Sequence, residues 1–276
     1  MFHVNIKNYC QQKAAPVGSS TYYALQRAPS KARPLLTALY ALHQKLSESV
    51  REVSDPTIGH VKLTWWKSEF GALAQDKPTH PVTQAIARYY TSFPPIQTFM
   101  TWLSGYQMDL DQTRYLNFLE LYRYLERVGA TLADTLARVT TSEPSTLALW
   151  APKLGRALLL ADIVERTGVH ARCGRIYIPL DEMRQFSVTS NDILHSRYSQ
   201  GFTQLMSFQV ERARRSLIEA LNAMPETERK AQRVLRAQAS ILLALLHEVE
   251  VENYRVLHQR IALTPLRKLW IAWCTR

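Results

Sequence analysis

Eight histidines, three cysteines and a surplus of arginine and lysine are the side chains from which this sequence could build a reactive site. The histidines form no HExxH pair and no other paired ligand spacing, so a zinc or haem site is not expected. Cys10, Cys173 and Cys274 are far apart, odd in number and outside any CxxC pattern, which argues against a disulfide framework and for a reducing compartment. Lysine and arginine total 34 against 23 aspartates and glutamates, a net charge of +11. Such an excess favours an anionic partner: phosphates, a lipid surface or nucleic acid. Arg212, Arg214, Arg215, Arg229, Lys230, Arg233 and Arg236 make a basic stretch, but glutamates interrupt it and no nucleic-acid module accompanies it. It reads as a solvated helix face, and nucleic acid is not expected as a partner. At the C-terminus, Leu266, Leu269, Trp270 and Trp273 recur at helical spacing among Arg267, Lys268 and Arg276. Tryptophan beside basic residues suits a lipid headgroup boundary, and a terminal apolar stripe equally suits docking against a bundle.

The elements that must position these residues are helical nearly throughout. Leu35, Leu39, Leu42 and Leu46 share one stripe, with Pro34 in the first turn of their helix. Asp55-Pro56 opens the next helix, which carries Ile58, Leu63, Trp66 and Phe70, with the aspartate as its cap. Helical segments are expected over Pro81–Phe93, Ile96–Met108, Leu116–Val139 and Thr146–Thr167, then near Tyr198–Met224 and from Pro225 to Gln259, with a short one over Pro265–Cys274. Gly174–Pro179 reads as a non-helical patch. Nine glycines stand where average usage would give about 19, against a fold of tight hairpins. The longest apolar candidate for a membrane span, Leu147–Val164, is broken by Pro152, Lys153, Arg156 and Asp162. The expectation is one all-α domain over 1–276, cytoplasmic, without a spanning helix.

The blocks of this chain, taken in order, resemble the squalene/phytoene synthase family. SSTYYALQRAPSKARPLLTALYAL (Ser19 to Leu42) is similar to the family's opening Ser-x-Tyr segment and first helix, and SDPTIGHVKLTWWKSEF (Ser54 to Phe70) to the helix after its first catalytic motif. GYQMDLDQTRY (Gly105 to Tyr115) resembles the Gly-Met-x-x-Asp-Leu block. HARCGRIYIPLDEMRQFSV (His170 to Val188) is close to the Ala-Arg-x-Gly-Arg-x-Tyr-x-Pro run, and ENYRVLHQRIALTPLRKLWIAW (Glu252 to Trp273) to the C-terminal end. The resemblance implies an all-helical prenyl-synthase-like bundle with a central pocket. It implies that Tyr22, Arg27, Arg33, Arg172, Arg175 and Tyr177 occupy substrate- or phosphate-facing positions.

The family's chemistry ionises a prenyl diphosphate, and about three Mg²⁺ held by carboxylates neutralise the leaving group. Here the resemblance breaks down. It puts the first motif's acids at Ser47, Glu48 and Arg51 and the second motif's at Arg166 and His170, so Glu48 is the one carboxylate left. Two readings stand. In one, the pocket survives without the chemistry: Arg51, Arg166 and a protonated His170 bind a prenyl diphosphate or another anionic lipid directly, with no metal. This is an accessory role like that of the family's branch in respiratory complex I assembly, with a protein partner and contact at the inner membrane surface. In the other, the protein is an active head-to-head prenyltransferase on farnesyl or geranylgeranyl diphosphate. Mg²⁺ is then held by displaced ligands, Glu48 on one side and Asp162 and Glu165, which share a helix face at i, i+3, on the other.

Overall fold

The computed structural model describes residues 5–53, 55–89 and 96–275. Among them every regular element is helical, and the single β-type pairing is an isolated parallel bridge between Arg114 and Ile176.

The chain enters through α1 (Ile6–Ala14) and a short α2 (Ser20–Leu25) capped by the Ser19 hydroxyl. The long α3 (Arg33–Arg51) then runs through the middle of the molecule. Leu36, Ala38, Leu39, Ala41 and Leu42 are all buried on it, more than one stripe can account for, so this helix is enclosed nearly all round. Asp55 caps α4 (Pro56–Ala74) by accepting the Thr57 amide at 2.8 Å. Glu69 of α4 reaches across to α5 (Pro81–Tyr89) and accepts the Thr79 and His80 amides at 2.8 and 2.9 Å. The turn that leads into α5 is thereby tied to α4, and the carboxyl is held below its usual range even though burial pushes it up. The far end of the helix expected over Pro81–Phe93 lies outside the described residues.

After α6 (Ile96–Asp111), the expected Leu116–Val139 helix divides into α7 (Phe118–Tyr124), a π-helical turn (Leu125–Ala130) and α8 (Thr131–Thr140). The wider turn sits where two other helices come closest. A Cβ on Gly105 of α6 would lie 2.5 Å from Val128, and one on Gly155 of α9 (Leu147–Glu165) would lie 2.1 Å from the Gly129 carbonyl. Helix α10 (Thr167–Arg172) follows α9 after a one-residue break at Arg166. The Gly174–Pro179 patch is non-helical, as its sequence predicts, and mostly buried.

Two short helices, α11 (Leu180–Gln185) and α12 (Ser190–Leu194), lead to α13 (Gln200–Asn222), which packs along α9. The segment from Pro225 is not one helix to Gln259 but α14 (Glu226–Arg229) and α15 (Arg233–Val251). Asn253 and Tyr254 take φ of 50° and 59°, and these left-handed residues end α15. An irregular stretch then passes close over α10, where a Cβ on Gly168 would meet the Val256 carbonyl at 2.0 Å. It ends in α16 (Pro265–Cys274), capped by Thr264 and packed on α15 and α2. No helix among the described residues is long and apolar enough to cross a membrane.

Candidate functional site

A cavity of about 210 Å³ opens between α3, α9, the π-helical turn, α8, α15 and the stretch around residues 260–268. Its wall changes character along α9. Gly155, Leu158 and Leu159 line it first, joined by Leu132 and Leu136 of α8 and Leu242 and Leu245 of α15. One to three turns further on, at about 1.5 Å per residue, α9 and its continuation present Asp162, Glu165, Arg166 and His170. From α3 come Tyr40, His43, Gln44, Ser47 and Arg51, a set at three- and four-residue spacing and therefore one face. The void is apolar at one end of α9 and densely charged at the other.

Within the charged part, Arg166 Nε lies 3.1 Å from Asp162 Oδ1 and 3.5 Å from Glu165 Oε2. Asp162 lines the cavity, and 37% of its side chain stays accessible. Burial pushes its carboxyl up, and Arg166, His170, Arg51 and His43 together outweigh that and hold it below the ordinary value. Glu165 goes the other way. Burial first and the neighbouring Asp162 charge second raise it to about 7, against the pull of Arg166 and Arg260. Burial, reinforced by Arg51 and Arg166, pulls the imidazole of His43 down to about 4 and that of His170 to about 3. His170 is therefore neutral at pH 7, not the imidazolium expected from the sequence. Its Nε2 is buried with no hydrogen-bond partner among the described residues. Arg51 has no carboxylate within 4 Å among them, and its neighbours on α3 bring no acid into the cavity.

Not every expected residue reaches this wall. Glu48, one residue from Ser47 and so turned about 100° away, pairs with Lys45 at 2.7 Å and Lys13 at 3.4 Å outside the lining. Arg33 and Arg172 are exposed and hold backbone: Arg33 donates to the Gln26 and Ala28 carbonyls, and Arg172 to the Leu257 carbonyl at 2.9 Å. Tyr22 packs edge-on to Tyr23, and Arg27 lies 5.1 Å over the Trp273 ring. Arg175 is buried behind the cavity, donating to the backbone and the carboxylate of Asp109. Tyr177 lines the void and donates to the other Asp109 oxygen at 2.8 Å. Burial raises the Asp109 carboxyl in spite of these partners.

The model of the squalene/phytoene synthase family matches residues 14–267, nearly the whole chain. The chain belongs to the squalene/phytoene synthase family. It is 28% identical over 274 residues to the phytoene synthase of Arthrospira platensis, covering 94% of this chain and 89% of that one. It is 26% identical over 268 residues to the chloroplastic phytoene synthase of Cucumis melo, of whose length it spans 64%. A crystal structure of a dehydrosqualene synthase in complex with ligand shares the fold, with a TM-score of 0.83 over 97% of this chain and 94% of the other at 21% identity.

Family membership raises the question of magnesium. The ion takes hard oxygen ligands in octahedral geometry. Asp162 and Glu165 are the carboxylates in the described cavity wall, with Arg166 against both, and α3 adds no acid to it, presenting Tyr40, His43, Gln44, Ser47 and the Arg51 guanidinium. No group of three or more acidic, histidine or cysteine side chains among the described residues could hold a metal ion. This donor set does not fit the family's magnesium cluster. Sequence reasoning missed His43 and Gln44, although extending the Ser47/Arg51 face back one turn finds both. It also missed Arg260 and Lys268, for which no sequence signal existed, because their approach depends on the course of the irregular stretch after α15.

Proposed function

We propose that the protein binds a prenyl diphosphate, or a lipid anion of the same shape, and neutralises its head with Arg51 and Arg166 instead of metal ions. The observation that carries this reading is Arg51, a guanidinium in the cavity wall with no carboxylate within 4 Å among the described residues, in a void whose other end is lined by leucines that suit an isoprenoid chain. A guanidinium meets phosphate oxygens through paired N–H donors in fixed geometry. It does not activate the C–O bond as a metal cluster does, so binding leaves the ligand intact. A protein that holds such a lipid without turnover fits an accessory or assembly role, in the cytoplasm and at the inner membrane surface.

One arrangement favours active head-to-head prenyl transfer as a second reading. Asp162 and Glu165 share the cavity wall at i, i+3, and family relatives are named as phytoene synthases. A single experiment separates the two. Purified protein is mixed with a non-hydrolysable thio-analogue of farnesyl or geranylgeranyl diphosphate, with and without Mg²⁺, and its melting temperature is followed. Ligand at about 100 times its Kd should add about 2.7 kcal/mol, a rise of about 5 °C at this chain length, without metal. Changing Arg51 and Arg166 together to Gln should weaken binding by about a hundredfold or more, since each charge-assisted contact is worth about 1.5–3 kcal/mol. Glutamine is the choice over aspartate, because new carboxylates there would themselves attract Mg²⁺. Stabilisation that requires Mg²⁺, or a C30 or C40 product from the natural diphosphates, establishes the second reading.

A further inference from the structure

Helix α16 is built the wrong way round for a terminal helix docked on a bundle. Its lysine is inside and its tryptophans are outside. Lys268 keeps only 8% of its surface, lines the cavity and donates to the Gly18 carbonyl at 3.0 Å, while Leu266, Trp270 and Trp273 are 78%, 69% and 69% exposed. The helix packs through Lys268, Ala272 and half-buried Ile271, so the apolar stripe faces solvent. Beside it, Val17 stands 84% exposed in the turn that supplies the Gly18 carbonyl.

A stripe this apolar, left uncovered, marks a contact surface. Its charges say what kind. Arg27 lies over the Trp273 ring, and Arg260 is exposed at the cavity wall three residues before Leu263. Neither has a carboxylate within 4 Å among the described residues, whereas Arg267 is taken up by Glu248 at 2.6 Å. Indole rings prefer the half-wet headgroup zone, and guanidinium groups beside them that no carboxylate pairs are drawn to anionic lipid. A ten-residue helix lying flat can sink its outward face about 5–10 Å into that zone.

We propose that α16 docks the protein on an anionic bilayer through Leu266, Leu269, Trp270 and Trp273. The opposite face of the same helix forms part of the cavity wall through Lys268, so the helix stands between the membrane and the void. Docking rests on the outward face alone and does not depend on what fills the cavity.

Cosedimentation of the full chain with vesicles tests this without any prenyl diphosphate, so it can fail independently of the cavity reading. The vesicles are phosphatidylcholine with and without phosphatidylglycerol, at low and high salt. The wild type should bind the anionic vesicles, release them as salt rises and ignore the neutral ones. Replacing Leu266→Gln and Trp270→Gln together should lower the bound fraction about tenfold, with an unchanged melting temperature because both side chains touch mainly solvent. These substitutions serve better than cutting the chain after Ala262, which would remove Lys268 and open the cavity. Failure of the wild type to bind anionic vesicles overturns the proposal, as does binding that survives the double substitution. A dimer that the substitution dissociates, or a large drop in its melting temperature, also overturns it by showing that protein covers this face.

Discussion

Changing Glu165→Gln should make the protein more stable at pH 8 than at pH 5 relative to the wild type. In the folded chain the carboxyl is raised from an ordinary 4.5 to about 7, by burial first and then by Asp162. Arg166, Arg260 and Lys268 face it from the break after α9, the irregular stretch and α16 and only partly offset that rise. A raised value means that the folded state holds this proton more tightly than the unfolded chain does. The stability this confers is complete below about 4.5 and lost as pH climbs through about 7. At about 1.4 kcal/mol per tenfold in proton affinity, the ionised carboxylate at pH 8 costs about 3 kcal/mol, most of it developing between pH 5 and pH 8. Glutamine keeps the shape and cannot ionise. His43 and His170 act in the opposite sense, because their folded values lie below the ordinary 6.5, so stability is lost as pH falls below it. Both histidines are present in both proteins, so the difference between variant and wild type isolates Glu165. Thermal melts at the two pH values should show that difference growing by about 5 °C toward pH 8. A difference that is the same at both pH values would refute the burial argument, and one that shrinks would mean the Arg166 contact dominates.

Two further substitutions test the frame around the cavity. Gly155→Ala puts a Cβ 2.1 Å from the Gly129 carbonyl, a backbone contact that no rotamer relieves. It should cost at least about 3 kcal/mol in urea unfolding and reduce binding of the thio-analogue. Arg175→Met strips the Asp109 carboxylate of its buried cation and should cost about 3–5 kcal/mol. Adding Asp109→Asn should recover part of that loss, and an additive double variant would show that the pair is not coupled.

The helices that could be read from sequence were those whose signals are local. The Pro34 start, the Asp55 cap and the Pro265–Cys274 segment depend on residues a few positions apart, and the structure places helices at each. The elements that differ depend on contacts distant in sequence. The π-helical turn stands where Gly105 and Gly155 press against it, and α15 stops where two residues take left-handed backbone with no glycine to announce it. For the site, α3 shows both sides of the matter. Ser47 and Arg51 are i, i+4 and reach the wall together, whereas Glu48 belongs to another face and finds Lys45 three residues back. That much was within reach of helical geometry. The protonation of His170 was not, because the type of a side chain does not reveal how deeply it is buried.

The C-terminal helix carries the same lesson further. Its apolar stripe is plain in the sequence, but periodicity gives the spacing of a stripe and says nothing about which side the core is on. Two alternatives competed for the inward face of α16, four large apolar residues or Lys268 with Ala272. Burying a lysine opposes hydration, and burial pushes its ammonium down, as does Arg260. The Gly18 carbonyl and Glu165 act in the other direction, and the small Ala272 lets the helix lie close to its neighbours. Turning the tryptophans inward would instead fill the space that the cavity occupies. A protein that keeps a void beside its last helix must therefore leave that helix's bulk outside, and so a feature of the cavity decides what the molecule shows to its surroundings.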